Sequence, residues 1–83
     1  MPINELNEIV VFLREQVIKR VGVSDADLDN DMPLADLGVT SLDAALITGE
    51  LEERFDMDID PTTMFECRTI NAVAERVASL AKV

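Results

Sequence analysis

Residues 37–55, LGVTSLDAALITGELEERF, decide how this chain folds. Gly38 interrupts the preceding segment. Thr40, followed three residues later by Asp43, has the spacing of a capping box, in which each side chain bonds the other residue's backbone N–H. A helix therefore begins at Ser41. A serine at a helix start is usually itself the cap, but Thr40 supplies that cap here and leaves the Ser41 hydroxyl free to point outward. Unpaired N–H groups and the helix dipole favour a phosphate at this point, so Ser41 is a plausible attachment point for a phosphorylated group.

The helix after Ser41 carries two apolar stripes. Ala44, Ile47, Leu51 and Phe55 recur at three- and four-residue spacing. Leu42, Ala45, Leu46 and Gly49 lie roughly opposite and run on into Glu52 and Glu53. A small domain needs one such face for its core. The stripe ending in Phe55 is the larger and is assigned inward. The other becomes an acid-rimmed docking surface, with Thr40 and Asp43 at its end beside Ser41.

Working outward, Ile3, Leu6, Ile9, Val10, Leu13, Val17 and Val21 trace one stripe of a first helix over residues 3–20, stopped by Gly22. Val11, Phe12 and Ile18 fall off it, under the following loop. Residues 22–40 are long, acidic and turn-rich, with Leu28, Met32, Leu34 and Leu37 placed to pin an ordered connection onto the core. Beyond the central helix, Asp60 caps a short helix with Pro61 at its first position and Met64 and Phe65 as apolar contacts. Thr69 caps a last helix whose stripe is Ile70, Val73, Ala74, Val77, Leu80 and Ala81. The expected fold is all-α: a small four-helix bundle of three principal helices and a short third one, with a long ordered loop after helix 1.

The chain's 83 residues make one domain, 1–83. Of its 17 acidic residues, 13 lie between Asp25 and Glu66, where Arg54 is the only base. That polarity argues against nucleic acid and for partners with basic docking patches. No apolar run approaches a membrane span, and no basic-then-apolar leader follows Met1. Cys67 alone forms no internal disulfide, which fits a reducing cytoplasm and a monomer. With no histidine and one cysteine, the chain has no residues for a Ser–His triad, a Cys–His pair or an ordinary zinc site. It reads as a non-catalytic protein.

These residues carry a resemblance. L-G-x-x-S-L, preceded by a long acidic loop and followed by L-E-E-x-F, resembles the acyl carrier protein family. The segment MFECRTI is similar to the F-x-x-P-T-I signature of carrier domains from polyketide and non-ribosomal peptide synthases. The resemblance implies that a phosphopantetheinyl transferase attaches 4′-phosphopantetheine to Ser41, and that acyl intermediates ride as thioesters on the arm's thiol. It implies delivery to acyl-handling, ketosynthase- or adenylation-type enzymes. It also places acyl chains between the central and short helices, making Ile47, Ile59, Met64 and Cys67 the pocket residues. Thr40 stands where the family often has Asp, and Arg68 where synthase carriers usually have Pro. The synthase-like segment favours polyketide or related secondary metabolism, with fatty-acid and aminoacyl or peptidyl duty as alternatives. From Met1 to the end of its last helix, the chain is expected to be free-standing.

Two readings from other classes compete. Asp25, Asp27 and Asp29 have the first spacings of a calcium-binding EF-hand, with Asp36 at the twelfth position; Asp56, Asp58 and Asp60 repeat the start. Asn30 replaces the glycine needed at the sixth position, and Cys67 stands at the twelfth position of the second run, so weak divalent binding is the expectation. A helical adaptor without a prosthetic group would leave Ser41 unmodified.

Overall fold

A computed structural model describes the backbone of residues 2–81 and the side chains of residues 6–80. Among the described residues there are four helices and no strand: α1 (Pro2–Val21), α2 (Ser41–Phe55), α3 (Thr63–Cys67) and α4 (Ile70–Ala81). α1 buries Ile9, Leu13 and Val17, each four residues after the last, while Leu6, Val10 and Val21 pack at the margins of the same face. Sequestering a Leu- or Ile-sized side chain contributes about 1.5–3 kcal/mol, so this stripe is the main force holding α1 to α4 and α2. Ile3 lies outside the described side chains. Gly22 ends the helix with a left-handed φ of 84°, its N–H bonding Ile18 O at 2.9 Å, as its position in the sequence suggested.

Three residues of α1 depart from expectation. Phe12 lies under α2 and not under the loop: its ring meets Phe55 edge-on at 5.8 Å, with the Arg54 guanidinium 5.2 Å from the Phe55 centroid. Val11 stays 54% exposed. Gln16, polar and off the apolar pattern, is only 6% exposed, and its Oε1 has no hydrogen-bond partner.

The connection from Gly22 to Thr40 is ordered by two short 3-10 turns, Asp25–Asp27 and Leu34–Leu37, and by the burial of Leu28 and Leu34. Met32 and Leu37 are half-buried. Its polar backbone is satisfied by a residue that periodicity did not single out. Arg14 on α1 donates to Leu28 O at 2.9 Å, Asn30 Oδ1 at 2.6 Å, and the carbonyl and carboxylate of Asp25, each at 2.8 Å. The far half of the loop is clasped to the α3–α4 junction. Leu34 N–H bonds Arg68 O at 2.8 Å, Asn71 N–H bonds Asn30 O at 3.1 Å, and Asn71 Nδ2 donates to Asp31 at 2.7 Å.

α2 turns Ala44, Ile47 and Leu51 inward, with Phe55 half-buried, so the inward stripe is the one chosen from the sequence. Thr48 is buried with them because its hydroxyl donates to Ala44 O at 2.8 Å. α3 starts later than expected. Asp60 accepts the N–H and hydroxyl of Thr62 at 2.9 and 2.8 Å, making a turn of residues 61–62 before the helix begins at Thr63. α4 is capped as anticipated, with Ala72 N–H on Thr69 Oγ1 at 3.1 Å. It buries Ile70, Val73, Ala74 and Val77, while Leu80 is largely exposed. Ala81 lies outside the described side chains.

Candidate functional site

The geometry at the start of α2 follows from its sequence. Gly38 closes the 34–37 turn at φ 96°, its N–H bonding Ala35 O at 3.1 Å; a Cβ there would meet Val21 Cγ1 at 3.4 Å. The chain then turns up into an extended Thr40. Asp43 N–H donates to Thr40 Oγ1 at 3.1 Å, while the Asp43 carboxylate accepts Thr40 N–H at 3.1 Å and the Thr40 hydroxyl at 3.0 Å. The predicted capping box is complete. These bonds hold the Asp43 carboxyl below the ordinary aspartate range, first through the Thr40 N–H and then its hydroxyl. Slight desolvation opposes them, and the charge of Arg20 on α1 assists.

Ser41 is therefore the first helical residue, exposed, with its neighbours carrying the cap. The first-turn N–H groups and the positive end of the helix lie beside its hydroxyl. A phosphodiester on that oxygen fits this setting without displacing any hydrogen bond of the cap.

Along the outer face of α2, Leu42 is 68% and Leu46 44% exposed, and Ala45, Gly49 and Glu53 are exposed with them. Glu52 differs. It is half-buried, and its carboxylate accepts the Ile59 N–H at 2.8 Å, tying the 57–60 segment back to α2. Glu52 therefore has a structural duty besides the docking role assigned from the stripe. Glu53, Asp56 and Asp58 join it around an open acidic hollow that Gly49 and Met57 complete.

The four expected pocket residues differ in their surroundings. Ile47 and Ile59 are closed into the core, and Cys67 is half-buried at the core's edge. Of the four, Met64 lines a cavity. That cavity, about 290 Å³, opens between the 33–40 segment, the first turn of α2 and α3; Pro33, Leu34, Val39, Ala44, Met64 and Phe65 give it apolar walls, and Thr40 and Arg68 complete it. The loop roofs this space. The exposed Phe65 and the arginine in the F-x-x-P-T-I position were the available signals.

Three acids of the calcium-loop reading are engaged elsewhere. Asp25 pairs with Arg14 at 2.8 Å, Asp29 accepts Asp31 N–H at 2.9 Å, and Asp60 holds the Thr62 turn. Among the described residues no group of three or more His, Cys, Asp or Glu is arranged to hold a metal ion. No described helix is long and apolar enough to cross a membrane.

Comparison with known proteins adds to this geometry. The family model described as "Phosphopantetheine attachment site" matches residues 11–77. One component of the phenolphthiocerol/phthiocerol polyketide synthase of Mycobacterium tuberculosis is 37% identical over 68 residues, covering 82% of this chain; the match spans 4% of that synthase polypeptide. A free-standing peptidyl carrier protein from an uncharacterized secondary metabolic pathway of Acinetobacter baumannii superposes with a TM-score of 0.86 at 27% identity, covering 93% of this chain and 96% of that one. The type-II acyl-carrier-protein BlmI of Streptomyces verticillus, involved in bleomycin biosynthesis, gives 0.82 at 20% identity over 94% and 92%, a likeness of fold.

Proposed function

This chain belongs to the phosphopantetheine-bearing carrier protein family, and from that premise we propose that Ser41 is the residue that bears the arm. One observation carries the assignment: Ser41 is an exposed hydroxyl at the start of α2 whose capping duty has been taken over by Thr40. The arm, when bound, supplies a flexible tether ending in a thiol on which acyl groups form thioesters. The protein's own part is to present the Ser41 oxygen, hold the helix start rigid through Thr40 and Asp43, and offer a surface that enzymes grip. During loading, the Ser41 oxygen bonds to the pantetheine-side phosphorus of coenzyme A, the pyrophosphate link breaks, and adenosine bisphosphate leaves.

Residues 1–83 act as one carrier domain with no catalytic role, working in the cytoplasm as a monomer. The lone Cys67 and the lack of histidine support that reading. Cargo is polyketide-type or a related secondary-metabolite acyl group, the reading favoured by the polyketide synthase among its relatives. Thr40, Leu42, Asp43, Ala45, Leu46, Gly49 and Glu53 form the docking face for the transferase and synthase enzymes. Glu52 rims it while bonded to Ile59. Charge guides encounter and Leu46 fixes register.

The test is incubation with coenzyme A and a broad-specificity phosphopantetheinyl transferase, followed by intact mass. The wild-type protein should gain one phosphopantetheine and Ser41→Ala none, with little change in melting temperature because Thr40 keeps the cap. Leu46→Asp should fold normally and load slowly at every ionic strength. A modified alanine variant, or a wild-type protein that never loads, overturns the assignment.

A further inference from the structure

We propose that the cavity beside Ser41 selects cargo ending in a carboxylate, and that Arg68 reads the charge. The inference rests on Ser41 bearing the arm, and concerns which acyl groups the arm then carries. The cavity is apolar over most of its wall, with Leu34, Val39, Ala44 and Met64 inside and the exposed Phe65 at its border. Thr40, the residue before Ser41, lines it, so the arm begins at the cavity's edge and can fold its acyl end back into it. Its volume of about 290 Å³ sits at the lower end of the roughly 300–1,000 Å³ typical of small-molecule pockets, which suits a short acyl group.

Arg68 is the one charged residue in that lining. The ion pairs among the described residues, Arg14–Asp25 and Arg76–Glu66, leave it out, although the chain is strongly acidic. Its backbone takes a left-handed φ of 70°, a conformation that glycine adopts without strain and arginine does not. An apolar wall bordered by a single arginine outside those ion pairs complements a short carbon chain that terminates in an anion. Guanidinium binds a carboxylate through two parallel N–H donors, which gives direction as well as charge.

The experiment loads Ser41 with three pantetheine arms: one without an acyl group, one with an amide-linked hexanoyl group, and one with an amide-linked 5-carboxypentanoyl group carrying ¹³C at its terminal carboxyl. The labelled carboxyl should release its proton more readily in wild type than in Arg68→Met, by the about threefold that an exposed pair allows. Backbone amides of Val39, Phe65 and Arg68 should shift with the carboxylated arm far more than with hexanoyl. Arg68→Gly, at ease at this φ, should repeat the Met result. Identical titration in wild type and both variants overturns the proposal. So do equal shifts with hexanoyl, which make the cavity merely apolar, and Arg68-dependent shifts with the unacylated arm, which make the phosphodiester the anion that Arg68 reads. If Ser41 takes up no arm, the assignment of Ser41 falls first and this proposal with it.

Discussion

Replacing Arg14 by methionine should remove about a quarter or more of the protein's stability. Methionine keeps an unbranched apolar stem and loses the guanidinium, which bonds Leu28 O, Asn30 Oδ1, and the carbonyl and one carboxylate oxygen of Asp25. The bonds differ in worth. Asp25 has a 78% exposed side chain, so its ion pair contributes on the order of 0.2–1 kcal/mol. The bonds to Leu28 and Asn30 are partly buried, and at the lower end of the range for charged donors each is worth about 1.5 kcal/mol. The two partly buried bonds sum to about 3 kcal/mol, against a total of about 4–12 kcal/mol for a chain of this length. The melting temperature should fall by about 12–24 °C, using the usual sensitivity of domains this small. Urea unfolding followed by far-ultraviolet circular dichroism would show the midpoint moving with an unchanged slope. Asp25→Asn, which keeps the Asp25 carbonyl, should cost under about 1 kcal/mol. A loss of under about 1 kcal/mol in Arg14→Met, or an equal loss in Asp25→Asn, would falsify the view that Arg14 holds the loop through its carbonyls.

Three further outcomes follow from single residues. The folded pKa of Asp43 is depressed, so its capping contribution is complete above the unfolded aspartate value and disappears as pH falls through the lower folded one. The stability gap between wild type and Asp43→Asn should therefore close in the acid range below about pH 4; a gap independent of pH there refutes the ionised capping box. Gln16→Met, which removes an unpartnered buried amide oxygen at similar volume, should stabilise by about 1 kcal/mol in the same urea assay. A destabilised variant would mean the amide has a partner in solution. Arg68→Gly should raise stability by about 0.5–1 kcal/mol through relief of the left-handed φ, and a loss would show the arginine side chain holding the α3–α4 junction.

How much was legible depended on whether a structure is local in sequence. The Thr40–Asp43 box, the Gly22 stop, the Thr69 cap and the inward stripe of α2 depend on residues three or four apart, and periodicity finds them. Phe12 was misplaced under the loop because its partner, Phe55, lies 43 residues away on another helix. The start of α3 was set early because Asp-Pro has the pattern of a helix start, while Asp60 here closes a turn on Thr62. Arg14 went unnoticed because nothing in a helical stripe indicates which exposed-face base will find carbonyls 11 to 16 residues downstream.

The two anchors of that loop also set an order of assembly. Arg14 closes segments of 11 to 16 residues, whereas Asn71 reaches Asp31 across 40. Closing the longer segment carries an extra entropic penalty of about 0.8 kcal/mol, and it needs α4 already docked. The near half of the loop should thus condense with α1 early in folding, and the far half, which leads to Ser41, only when the last helix arrives. Mutations at Arg14 should slow folding, while mutations at Asn71 should mainly speed unfolding, as stopped-flow kinetics in urea can separate. The native protein would then open most readily by releasing residues 30–40 alone, loosening the cavity wall while the core of α1, α2 and α4 stays closed.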